Sequence, residues 1–306
     1  MIPPPDAPPP PPTPAGEPVR ASRRSRGLRT TIIAAVIIVI VLAGIIGYAV
    51  TGLAYAQTRV GNANRTLSTV ISHQNSLTAT FTDLNAKFNT LSSSSSPDPQ
   101  QERALFDQFV ANEKAAGTTD TQDDKSLVSA RASLGEQQWL TLAARGNLDK
   151  EATKIDHARK ALSIAKTAAA GYVQDGQFFQ AYFDAAIDLE MLSSQVANAD
   201  LSGATTTLTT MKTHVDKALQ LSSAPGLPAE LHALMVDFGT FVTDFGKLLA
   251  GVAAGDDSAI TSAENAVQTD AAKLGTYNMD TILAEIGAYY KPMFDAVDSE
   301  MAKAAA

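Results

Sequence analysis

The run from Ile32 to Val50, IIAAVIIVIVLAGIIGYAV, contains no charge and no proline. Small and mostly apolar residues continue through Ala56. About 20 such residues cross the hydrocarbon core of a bilayer as a helix. A lone span must satisfy its own backbone hydrogen bonds, which a helix does. The run therefore divides the chain into residues 1–30, a transmembrane signal-anchor at 31–56, and residues 57–306.

Charge sets the expected direction. Arg20, Arg23, Arg24, Arg26 and Arg29 precede the run, whereas only Arg59 and Arg65 follow closely. The positive-inside bias places the amino end in the cytoplasm and residues 57–306 outside. Ala54-Tyr55-Ala56 has the small-x-small pattern of a cleavage site, so a cleaved secretion signal is the rival reading. Signal h-regions usually span about 7–15 residues, and this run is longer. Ala43 and Gly47, and likewise Gly52 and Ala56, stand four apart, a spacing that lets membrane helices approach closely. Weak self-association is one consequence; the other is simply that Gly and Ala are common in such helices.

The first 18 residues include ten prolines, among them Pro8 to Pro12. Such a tail favours polyproline II and builds no core. Beyond the anchor the chain is acidic, and the formal charge of the whole is −8. A nucleic-acid binder needs a basic face, so no nucleic-acid partner is expected. The arginine flank suits anionic headgroups of the lipid bilayer. The absence of cysteine excludes disulfides, thiolate metal sites and a cysteine nucleophile. The outer region must cohere by packing alone.

Residues 57–306 read as helices throughout. Leu67, Val70, Ile71, Leu77, Phe81, Leu84, Phe88 and Leu91 recur at helical intervals from Arg59 to Leu91. Ser92 to Asp98, with five serines and Pro97, predicts a loop, and Pro99 suits a helix start. Gly117 to Asp124 reads as a second, polar break. A turn is expected near Gly146-Asn147, and Gly171 or Gly176 as an interruption of the next helix. Phe178, Phe179, Tyr182 and Phe183 form the densest aromatic stretch and are expected in the core. Breaks follow at Ala199 to Gly203 and at Pro225-Gly226-Leu227-Pro228. Leu231, Met235, Phe238, Val242, Phe245 and Leu249 then alternate by four and three, the a/d pattern of a helical bundle. This coiled-coil-like stretch is too short for a long dimeric coiled coil. After a turn at Gly251 to Asp257, Asn278 is expected as a local break and Pro292 as a kink or new start. Of Tyr289 and Tyr290, one is expected in the core and one at the rim. Small-residue turns near Gly146, Asp200 and Asp256 recur at roughly 55-residue spacing, as repeated helical hairpins would.

Chemistry is sparse. His73, His157, His214 and His232 are isolated from one another, whereas zinc needs about four convergent donors. They are expected as surface or hydrogen-bonded structural residues. Asp123-Asp124 and Asp256-Asp257 fall in expected loops without EF-hand spacing. Asp237 and Asp244 stand a heptad apart and can line an interface. There is no phosphate-binding glycine loop, no G-x-S-x-G and no H-E-x-x-H. No catalytic residue, cofactor or metal is assigned, and the protein is not expected to be an enzyme.

The fold class expected is all-α: a single transmembrane helix followed by an extracytoplasmic antiparallel helical bundle. The function expected is that of a membrane-anchored binding or scaffold protein of the cell envelope, meeting an envelope protein or polymer. The alternative is a sensory or accessory domain relaying a signal through its transmembrane helix.

Overall fold

A computed structural model describes residues 61–92, 98–135 and 145–306. Its described elements are all α-helices: α1 Gly61–Ser92, α2 Pro99–Gly135, α3 Arg145–Ala197, α4 Leu201–Leu221, α5 Ala229–Ala254, α6 Asp257–Leu274 and α7 Met279–Ala305. No described helix is long and apolar enough to cross a membrane. The expected anchor with Ala43, Gly47, Gly52 and Ala56, and the arginine flank, lie outside the described residues.

The spine is α3, with 53 residues, about 80 Å at 1.5 Å per residue. Helices α2, α4 and α7 all pack along it, and each runs antiparallel to it. Helix α1 packs chiefly on α2, α5 on α4, and α6 on α5. Caps separate the elements. Asp200 accepts a hydrogen bond from the Gly203 amide at the start of α4, and Asp256 does so from Ser258 and Ala259 at the start of α6. Two of the three recurrent turns thus share one device, an aspartate satisfying orphan amides. Gly255 ends α5 in the left-handed conformation at φ 65°, where glycine has no Cβ penalty. Asn278 caps α7, and Pro292 lies within that helix.

The apolar core has two parts. The larger gathers Phe106 and Phe109 of α2, Tyr172, Phe178, Phe179 and Phe183 of α3, Met211 and Val215 of α4, Leu231 and Phe238 of α5, and Tyr290 and Phe294 of α7. Phe106 stacks between Phe179 and Phe183, with centroids 5.2 and 5.4 Å away. The aromatic stretch is therefore core, as its periodicity implies. The smaller cluster closes one end. There Ala63 and Leu67 of α1, Leu127 and Leu134 of α2, Ile155 of α3 and Ala304 of α7 meet.

Two expected breaks are absent: helix α2 runs unbroken through Gly117 to Asp124, and α3 through both Gly171 and Gly176. Gly146 and Asn147 lie in the first turn of α3, which starts at Arg145. The glycines of α3 are dents for neighbouring side chains. A Cβ at Gly176 would stand 2.5 Å from Val110 Cγ2 and 3.1 Å from the Phe109 ring. Tertiary approach of α2 explains this glycine, and local breaking does not. Gly176→Ala is expected to destabilise the fold by about 1–2 kcal/mol, since overpacking outweighs the gain in helix propensity of about 1 kcal/mol. A urea midpoint equal to or above that of the wild type would refute this account.

Candidate functional site

The acidic residues that look like loop residues in sequence are spent on helix contacts. On α2, Glu113, Asp120 and Asp123 turn inward and are buried. Gln74 Nε2 of α1 donates to Asp120 Oδ1 at 2.7 Å. His73 Nδ1 of α1 stands 2.9 Å from Asp123 Oδ1. Asp124 accepts from Arg159 Nε of α3 at 2.9 Å. Asp123-Asp124 is thus a mid-helix clasp, correcting its assignment to a loop. A polar pair in sequence suggests solvent only while the neighbouring helix is unknown.

The other histidines behave alike. His157 of α3 meets Glu300 of α7 at 2.6 Å, and His214 of α4 meets Asp188 of α3 at 2.7 Å. In all three imidazole–carboxylate pairs the carboxylate is the more buried partner. His232 Nδ1 stands 2.8 Å from Ser222 Oγ. Glu300 also accepts from Lys160 and Lys303. Hydrogen bonds from Lys303, then His157 and Lys160, draw its carboxyl down to about 2. Asp237 and Asp244 both face α6: Asp237 accepts from Lys273 of α6 and from Tyr277 in the turn that follows it, and Asp244 meets Asp270 of α6. Among the described residues, no group of three or more His, Asp and Glu is arranged to hold a metal ion.

One polar cluster is different, because its central carboxyl, Asp175, is met by a phenol and not by a cation. Tyr290 of α7 is 1% exposed and stacks on Tyr172 of α3 at 4.0 Å between centroids. Its hydroxyl lies 2.8 Å from Asp175 Oδ2 and 3.1 Å from the Pro225 carbonyl of the α4–α5 turn. Gly171 and Gly226 make this seat. A Cβ on either would collide with the Tyr290 side chain, and Gly226 also holds φ +95°. Asp175 Oδ1 and the Tyr172 hydroxyl are buried without hydrogen-bond partners.

Burial governs the titration here. Desolvation pushes Asp175 up to about 7, against the opposing hydrogen bond from Tyr290. It raises Glu113 well above the usual range, aided by Asp120. Asp120 rises to about 6, chiefly by desolvation and despite Gln74. The phenols of Tyr172 and Tyr290 are likewise raised by burial and by these acids. One phenolic proton cannot serve two acceptors well. Tyr290 donates toward Asp175 Oδ2 and the Pro225 carbonyl; when Asp175 is protonated, the acid can donate back to the Tyr290 oxygen and leave the phenolic proton to Pro225.

Above this seat lies an open cleft of about 540 Å³. Tyr289, Tyr290 and Met293 of α7 and Pro225 form one side; Ser163, Lys166, Thr167, Ala170, Gly171 and Gln174 of α3 form the other. Tyr289 is 43% exposed at its edge, so adjacent tyrosines divide into rim and core as expected. The sequence does not reveal the cleft, because its α3 and α7 walls are more than 100 residues apart, with Pro225 brought in from a third segment. No family model, curated protein or solved structure matches this chain.

Proposed function

We propose that this is a membrane-anchored helical binding or scaffold protein of the cell envelope, with residues 57–306 carried outside the membrane. One observation supports the reading above others. Ala63, near the start of α1, and Ala304, near the end of α7, are buried in the same terminal cluster. A span ending just before α1 would tether the bundle at that end. The α3–α4 turn would then stand away from the bilayer, at the far end of a spine about 80 Å long. The mid-height cleft gives such a bundle a place to meet a ligand, and its outer faces a place to meet an envelope protein or polymer. In the full-length protein, carbonate extraction should leave the chain in the membrane at its intact mass. External protease should digest the helical region in intact cells. Recovery of a chain beginning at Gln57, or digestion only after opening the cytosol, would overturn the reading.

A second reading, an accessory or sensory domain, is favoured by one feature. Helix α1 packs chiefly on α2 and is pinned there by the Gln74–Asp120 and His73–Asp123 contacts. A shift of α1 would bear first on those two contacts and pass through them into the bundle.

A further inference from the structure

We propose that the cleft between α3 and α7 binds a small amphiphilic anion with a flat apolar body and one carboxylate, sulfate or phosphate group. The proposal rests on the binding-protein reading and names what is bound.

The walls divide by chemistry. Tyr289, Tyr290, Met293 and Pro225 present ring, thioether and pyrrolidine surface on one side. Flat hydrophobic molecules pack well on such surfaces, and aromatic pairs add to area burial when offset or edge-on. The opposite wall supplies hydroxyls from Ser163 and Thr167, the Gln174 amide and a single cation, Lys166. This combination of apolar lining and few polar groups is typical of small-molecule sites, and 540 Å³ falls in their usual range of about 300–1,000 Å³.

Lys166 is the cation on the cleft wall; it faces the buried Asp120 carboxyl at longer range and Asp124 more closely. Its ammonium stands 3.7 Å from Asp124, too far for a hydrogen bond. Asp124 is already held by Arg159 at 2.9 Å. The Lys166 side chain is 30% exposed and can turn to a ligand without stripping Asp124 of its main partner. The acids beneath the cleft do not oppose an anion as ordinary carboxylates would. Asp175 shares its position with Tyr290, and burial favours its neutral form.

Position also selects the source. Lys166 lies about 30 Å along α3 from its start at Arg145, by helical rise. The start of α3 is at the end of the bundle that carries α1. A cleft at that height is beyond the headgroups of a bilayer holding the tether, so the ligand arrives from solution.

The test uses the full-length chain in phosphatidylcholine nanodiscs, titrated calorimetrically with 2-naphthalenesulfonate and with uncharged 2-naphthalenemethanol. Empty nanodiscs provide the blank. Saturable binding of the sulfonate at one site is expected. Lys166→Gln should weaken it about tenfold, the size of a lost charge-assisted hydrogen bond, while Lys166→Arg retains it. Binding of the alcohol should be unchanged by Lys166→Gln. Tyr289→Ala should weaken both probes, and Lys247→Gln on α5 neither. No saturable binding above the blank, or equal sulfonate affinity in wild type and Lys166→Gln, would overturn the proposal. If fractionation instead finds a released chain, the same titration in buffer still reads the cleft. Failure of the anchor and failure of the ligand assignment are therefore separate results.

Discussion

Replacing Tyr290 by alanine is expected to destabilise the bundle by about 4 kcal/mol, the range for deleting a fully buried aromatic ring. The ring is 1% exposed and stacks on Tyr172. It fills the space left by Gly171 and Gly226. No neighbouring backbone is free to collapse into the gap, because α3 and the α4–α5 turn are fixed by their own helices. The loss also removes the hydroxyl that bonds Asp175 and the Pro225 carbonyl. Tyr290→Phe separates the two effects: it keeps the ring and should cost about 1–2 kcal/mol through unpaired polar groups. Urea denaturation read by circular dichroism measures both. A Tyr290→Ala loss below that of Tyr290→Phe would contradict the packing argument.

Stability should fall as pH rises from about 5 to 8, by an amount on the order of 2.5 kcal/mol from Asp175 alone. The sign follows from proton counting. Unfolded, the Asp175 carboxyl titrates near 3.8; folded, burial raises it to about 7. Between these values the native state holds a proton that the unfolded chain has released. That stabilisation is complete below about 4 and is lost as pH rises through 7. Asp120, raised to about 6, adds in the same direction, as does Glu113. Glu300 opposes them on the acid side: its carboxyl is lowered to about 2, so its contribution is present above its unfolded value of 4.5 and lost as pH falls toward 2. The balance of these groups places the maximum at about pH 4. In Asp175→Asn the amide can donate to the Tyr290 oxygen at every pH, replacing the proton of the neutral acid. This variant should have a higher urea midpoint than wild type at pH 8 and a flatter profile. A wild-type midpoint that is constant or rising from pH 5 to 8 would exclude the mechanism.

Several helices are legible in the sequence because their apolar spacing is regular. The Leu231 to Leu249 stripe becomes the buried face of α5: Leu231, Leu234, Met235, Phe238, Phe241, Val242 and Leu249 are buried. The breaks at Ala199 to Gly203, Pro225 to Pro228 and Gly251 to Asp257 also stand. Their signals are local: a capping side chain, a proline, or a glycine at positive φ. The failures share a different origin. Gly117 to Asp124, Gly171 and Gly176 look like breaks because glycine and aspartate are weak helix formers. Each lies within a helix once its neighbour is in place. Asp120 and Asp123 face Gln74 and His73 some 46 and 50 residues away, and Gly176 faces Val110.

The sequence by itself determined the all-helical class, most helix ends and the inward aromatic stretch, because helix periodicity, caps and turn residues act over a few positions. Only the tertiary structure decided that α3 is one continuous spine, that the acids of α2 are buried clasps, and that Tyr290, Asp175 and Pro225 meet beneath a cleft. Those outcomes depend on which side chains approach from distant helices, and on the cost of burying charge there. Neither is encoded in local spacing.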